Sequence, residues 1–181
     1  MKVEEDKEEK KALPIIYHER EIMESLENNI VTIVCGETGS GKSTQIPQFI
    51  LQNHLANPWK YRTAADSLQI GITQPRRVAA VSLAQRVSDE LNISKFGETV
   101  GYQIRYDSNF CHPEKTKIKF MTDGILLKEL ETDFLLKKYS VIIVDEAHER
   151  SLNSDILVSL LTRIAHARCE KAFKERQQGE I

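Results

Sequence analysis

Eight consecutive residues constrain this chain more than any others: Gly36-Glu37-Thr38-Gly39-Ser40-Gly41-Lys42-Ser43 fit G-x-x-x-x-G-K-[ST] at every required position. Glycines at that spacing let successive backbone N–H groups turn inward on an anion. Residues 30–35 (IVTIVC) ahead of them are apolar and β-branched and read as a strand, and residues 42–54 behind them read as a helix. Strand, glycine loop and helix in that order form a cradle for phosphate, with the helix N-terminus aimed at the same anion. The expected cradle runs from Gly36 to Thr44, with Lys42 reaching β- and γ-phosphates and Ser43 offering its hydroxyl to Mg²⁺.

The remaining chain alternates between two periodicities and contains no internal repeat. Residues 68–73, 117–122 and 140–144 (SVIIV) are further strand candidates. Between them, residues 77–91 place Val78, Val81, Ala84, Val87 and Leu91 at helical spacing, and residues 124–130 read as a second crossover helix. A last long helix carries Leu152, Ile156, Leu157, Leu160, Leu161 and Ile164 on one face. Strands apolar on both sides, alternating with amphipathic helices, imply an α/β fold: a mostly parallel sheet with helices on both faces. In such sheets ligands gather beyond the carboxyl ends of the strands. Residues 57–67 (NPWKYRTAADS) read as a surface loop, and residues 167–181 lose the apolar stripe without a stop signal, so the sequence reads as continuing.

A second chemical block closes the strand at 140–144. Asp145 and Glu146 follow it directly, where an Asp behind a phosphate cradle holds Mg²⁺, usually through water. A neighbouring Glu can polarise an attacking water, which points to hydrolysis. Ser43, Asp145 and Glu146 are the candidate metal set.

Bulk charge neither supports nor excludes a nucleic-acid partner. The formal net charge of −2 is matched by residues 1–10, with five acids and three lysines, which leaves a neutral remainder. Any nucleic-acid contact must then be a local groove. Residues 1–12 are expected to be a charged, disordered tail. No apolar run approaches the roughly 20 residues of a membrane span, so no membrane partner is expected. Three scattered cysteines without a CxxC pair favour a reducing compartment over a disulfide framework or zinc site.

Asp145–Arg150 reads DEAHER, and with GETGSGKST, TQPRRVAA from Thr73 and TDG from Thr122 the chain resembles the DEAH-box helicases. The resemblance runs from about Leu13 to Ala167 and keeps the family's block order. It implies that residues 13–181 form the first RecA-like domain of a P-loop NTPase motor, ending before a Ser-Ala-Thr block, with a second RecA-like domain in cis. It implies an ATP-dependent RNA helicase or remodeller, using ATP or another NTP with Mg²⁺, and an activating protein partner. The wording IKFMTDGILLKE is similar to the branch acting in small-ribosomal-subunit assembly, which implies a ribonucleoprotein substrate and a nuclear or nucleolar location, with cytoplasm the alternative. A reading from another class is a nucleotide-binding regulatory module that switches partners without translocating.

Residue by residue, the resemblance assigns water activation to Glu146, magnesium to Asp145, and coupling to His148, for which a simple satisfied polar contact is the alternative. The first glutamine is Gln45, so no upstream glutamine reads adenine. The base would instead stack on Arg86, otherwise a solvated helix residue. Arg76, Arg77, Thr122 and Asp123 match blocks that contact the RNA backbone, Asp123 suiting a 2′-OH or a structural turn. Arg105 is a further RNA-side candidate or a salt-bridge partner. Lys115, Lys117 and Lys119 alternate, and a solvated face is the plain reading.

Overall fold

The computed structural model describes residues 13–56, 68–110 and 115–179, so the expected tail and the expected loop at 57–67 lie outside the described residues. Five strands form one sheet: β1 (Ile70–Gln74), β2 (Val100–Ile104), β3 (Asp107–Asn109), β4 (Ile118–Thr122) and β5 (Val141–Val144), in spatial order β3-β2-β4-β1-β5. Every pairing is parallel except the β2–β3 hairpin. Ile72 at the centre of β1 stands opposite Phe120 on one side and Ile143 on the other.

The helices are α1 (Glu19–Asn28), entered through a 3-10 turn at Pro14–His18, then α2 (Lys42–Ala56), α3 (Arg77–Glu90), α4 (Asp123–Thr132) and α5 (Leu152–Gly179). Strand alternation sorts the core into two layers. Ile70, Ile72, Ile118 and Phe120 point to the face covered by α1, α2 and α3. Met121 points to the other, with Leu126, Leu130, Tyr139, Leu157 and Ile164 from α4, α5 and the loop before β5. Burial of each such side chain contributes about 1.5–3 kcal/mol. Gly71 is required on that second face, because a Cβ there would stand 2.9 Å from Tyr139 Cε1. Among the described residues, no helix is long and apolar enough to cross a membrane.

Pro75 ends β1, since proline offers no N–H to a ladder. The chain turns there through Arg76 in an extended conformation and starts α3 at Arg77. Small residues on α3, Ala80 and Ala84, are fully buried beside Val87, so this helix lies close to the sheet.

Four expectations are corrected. Residues 30–35 run extended but join no strand pair among the described residues, and Ile30, Val31 and Ile33 are 51%, 49% and 84% exposed. Apolar β-branched composition favours an extended backbone, but a strand exists only where a neighbour supplies its hydrogen bonds. Val78 is 80% exposed, because Ala80, Ala84 and Val87 set the inward face of α3. Leu152 and Ile156 also lie outside, and α5 turns Ser154, Leu157 and Ile164 inward. Finally, Lys119 is not solvated: it is buried on the α4 side of β4 and paired with Glu129 at 2.7 Å.

Candidate functional site

The glycine loop is bent as its composition requires. Gly39 and Gly41 have φ of +81° and +96°, in the left-handed region that glycine enters without penalty. Gly41 is doubly constrained, because a Cβ there would meet Ile15 Cγ2 at 3.0 Å and Leu13 Cδ1 at 3.1 Å. At Gly39 nothing among the described residues lies within 4 Å of where its Cβ would be. The Ile15 N–H donates to Ser40 O at 3.2 Å and fastens the loop to the turn before α1. At the start of α2 the Gln45 N–H donates to Gly41 O at 2.8 Å.

Lys42 folds back over this loop. Its ammonium donates to Gly36 O at 2.6 Å and Glu37 O at 2.7 Å, and reaches Ser40 Oγ at 3.3 Å. Glu37 and Thr38 lie exposed at the lip, while Ser43 is half-buried and Thr44 buried at the base. The Thr44 hydroxyl donates to Gly41 O at 3.3 Å, which braces the turn.

Arg86 is tied to this helix through a residue that sequence reasoning passed over. Glu90 accepts from Gln45 and Gln48 of α2 at 2.8 and 2.7 Å, and from Arg86 Nε at 3.0 Å. The signal was present as i, i+4 spacing of Arg86 and Glu90, but the α2 partners lie over 40 residues away in sequence and only the fold reveals them. Arg86 remains 61% exposed, with its guanidinium face free to stack.

The acidic loop forms at the end of β5. Because β1, β4 and β5 run parallel, Gln74, Thr122 and Val144 finish at one edge of the sheet. The Asp145 N–H donates to Thr73 O at 3.2 Å, continuing the ladder one residue past the strand. The buried Gln74 amide donates to Asp145 Oδ2, and the Glu146 N–H donates to Asp145 Oδ1 at 2.9 Å. Glu146 itself is held at φ +53°, ψ +30°, a left-handed conformation uncommon for a glutamate. His148 Nε2 lies 3.2 Å from Glu146 Oε2.

The candidate RNA residues surround the same edge. Arg76 Nη2 pairs with Glu149 Oε1 at 3.0 Å. Arg77 Nη2 donates to Arg105 O at 2.8 Å, and the Arg105 guanidinium covers the Tyr106 ring at 4.8 Å in the β2–β3 turn. Thr122 is half-buried, whereas Asp123 is only 4% exposed at the start of α4. Its carboxylate accepts from the Ser151 hydroxyl at 3.4 Å. Burial pushes the Asp123 carboxyl above its ordinary value, with the Ser151 hydrogen bond opposing. That environment suits a group that holds a turn.

The structure thus makes two assemblies: the loop 36–44 with Arg86, and the edge that carries Asp145, Glu146, His148, Arg76, Arg77 and Arg105. Among the described residues no hydrogen bond or ion pair joins them. Ser43, Asp145 and Glu146 offer one hydroxyl and two carboxylates, all hard oxygen donors of the kind Mg²⁺ selects.

The sequence matches known proteins along most of its length. The family described as "DEAD/DEAH box helicase" matches residues 8–177. Over 167 residues the chain is 51% identical to "Probable ATP-dependent RNA helicase DHX37" of Homo sapiens, covering 92% of this chain and 13% of that protein. "Probable ATP-dependent RNA helicase DHR1" of Saccharomyces cerevisiae is 52% identical over 167 residues, covering 90% of this chain and 12% of that one. "ATP-dependent RNA helicase DEAH13" of Arabidopsis thaliana is 49% identical over 177 residues, covering 98% and 14%. The chain therefore spans about one seventh of the length of these relatives, as the 12–14% shares imply.

Proposed function

We propose, from the premise that this chain belongs to the DEAD/DEAH box helicase family, that it binds and hydrolyses ATP to drive RNA unwinding or remodelling. The observation that carries the reading is the shared edge of β1, β4 and β5. It puts the acids of Asp145–Glu146 and the arginines of the TQPRR block side by side, with Arg76 and Glu149 in direct contact. Hydrolysis and grip on a polyanion are then linked through one short span of protein.

The loop 36–44 binds the phosphates through its N–H groups, and Lys42 leaves Gly36 O and Glu37 O to meet them. Ser43, Asp145 and Glu146 would hold Mg²⁺ through their hard oxygen donors. When bound, the ion neutralises charge on the phosphate oxygens. Glu146 accepts the proton of the attacking water, and His148 keeps its carboxylate in place from 3.2 Å. Arg86 stacks on the base. Arg76, Arg77 and Arg105 contact the sugar–phosphate chain, which fixes position without reading sequence.

The run IKFMTDGILLKE supports a place in small-ribosomal-subunit assembly, with a ribonucleoprotein substrate in the nucleus or nucleolus. A second RecA-like domain and an activating protein complete the motor. The test is phosphate release, with and without single-stranded RNA, in a protein extended to the length of its relatives. RNA-stimulated release is expected; nucleotide binding without RNA stimulation would overturn the motor reading in favour of a regulatory module.

A further inference from the structure

Gln74 ends a strand whose five residues are all buried, and it is itself 1% exposed. A buried amide needs a partner, or its desolvation is uncompensated. Its side-chain partner is Asp145 Oδ2, one residue past the neighbouring strand β5. The pairing follows from register: Thr73 stands opposite Val144, so Gln74 and Asp145 are the next pair along. The direction of the amide is fixed too. Turned over, Gln74 would place its carbonyl oxygen against a carboxylate, so Nε2 is the atom that faces Asp145.

We infer that Gln74 is a positioning residue for the metal-holding carboxylate of Asp145, an inference that rests on the magnesium-nucleotide reading above. The two Asp145 oxygens each receive one N–H, from Gln74 at Oδ2 and from the Glu146 backbone at Oδ1. Together they fix the plane of the carboxylate and leave further lone pairs on both oxygens open toward a cation or its water. The donor is neutral. An arginine or lysine at the same place would fix the carboxylate equally well but compete with the cation for its charge. Gln74 is buried beneath Asp145, so it acts through that residue and does not touch nucleotide. Partners of this kind are worth about 10–100-fold in metal affinity when removed.

The experiment titrates Mg²⁺ against binding of a fluorescent, non-hydrolysable ATP analogue, with parallel binding in EDTA and thermal melting. Gln74→Met keeps the length of the side chain and removes the donor; Gln74→Leu removes it with less bulk and serves as the second variant. The half-saturating Mg²⁺ concentration is expected to rise about tenfold in both, while affinity in EDTA and the melting midpoint stay near wild type. An unchanged Mg²⁺ midpoint overturns the inference. Equal losses with and without Mg²⁺ assign Gln74 to the fold and overturn it as well. A wild-type chain whose nucleotide binding ignores Mg²⁺ overturns the underlying site reading, and this inference with it.

Discussion

Arg76 Nη2 stands 3.0 Å from Glu149 Oε1, so a guanidinium just past β1 is paired with a carboxylate just past β5. Arg76 is 74% exposed and Glu149 33% exposed, and a pair of this kind contributes about 0–1 kcal/mol. An RNA phosphate can displace it at little cost. The Glu149 N–H in turn donates to Glu146 O at 2.9 Å, so release of Glu149 reaches the acidic loop directly.

Removing the guanidinium is therefore expected to weaken RNA binding evenly across sequences. In a protein extended to the length of its relatives, Arg76→Ala should lower the slope of log affinity against log salt by about 1. Glu149→Gln should leave that slope intact, because Arg76 remains. Anisotropy of labelled single-stranded RNA over a salt series measures both. An unchanged slope in Arg76→Ala would remove this residue from the RNA interface.

Glu146→Gln in the same extended protein is expected to keep ATP bound and to lose about 10²–10⁴ in turnover, since the amide preserves shape but accepts no proton. His148 sits 3.2 Å from that carboxylate and, in the proposed mechanism, acts through it, so His148→Ala should cost less than Glu146→Gln. Phosphate release and nucleotide affinity, measured side by side, separate the two effects. A Glu146→Gln enzyme with near-normal turnover would show that another group activates the water.

Arg86 predicts tolerance of the base. Its Nε is engaged by Glu90 at 3.0 Å, which holds the guanidinium plane on α3 without consuming its face. A stacking surface discriminates weakly, whereas a site built on base hydrogen bonds rejects analogues by large factors. Competition among ATP, GTP, CTP and UTP should give affinities within about a hundredfold, equivalent to roughly 2.7 kcal/mol. A larger preference for adenine would refute stacking as the means of recognition.

The cradle and the acidic loop were legible because each is a local pattern whose chemistry needs residues close in sequence. Strands β1, β4 and β5 were legible because each gathers apolar residues into a short run between turn or helix signals, whereas β2 and β3 offer no such run and only the fold reveals them. Residues 30–35 carry the same signature and form no ladder among the described residues, because pairing depends on a neighbour that composition does not specify. Lys119 looked solvated for the opposite reason. Its partner Glu129 lies on α4, and nothing in the alternation of Lys115, Lys117 and Lys119 marks which of them faces a helix. Gln74 escaped notice because an amide at a strand end has no motif; its meaning comes only from the β1–β5 register.

The Lys119–Glu129 pair gives the last prediction, and it concerns stability. Lys119 and Glu129 side chains are 4% and 16% exposed, and Glu129 also accepts from Tyr139 Oη at 2.8 Å and pairs with Lys138 at 3.0 Å. Burial alone would raise the Glu129 carboxyl, but the ammonium groups of Lys119 and Lys138 and the Tyr139 hydroxyl outweigh it and hold it below its ordinary value. A depressed carboxyl contributes stability that is present above its unfolded pKa and lost as pH falls through the lower folded value. Wild-type stability should therefore decline from about pH 4.3 downward, and Glu129→Gln should flatten that part of the profile. At neutral pH, Glu129→Gln strands the Lys119 ammonium in the core and should cost about 3–5 kcal/mol. Adding Lys119→Met removes the stranded charge, while the amide introduced by Glu129→Gln still offers Tyr139 an acceptor, so the double variant should recover most of the loss. Denaturant unfolding of wild type, single and double variants across pH measures all three quantities. A double variant as unstable as the single one would show that the network stabilises by packing and not by charge pairing.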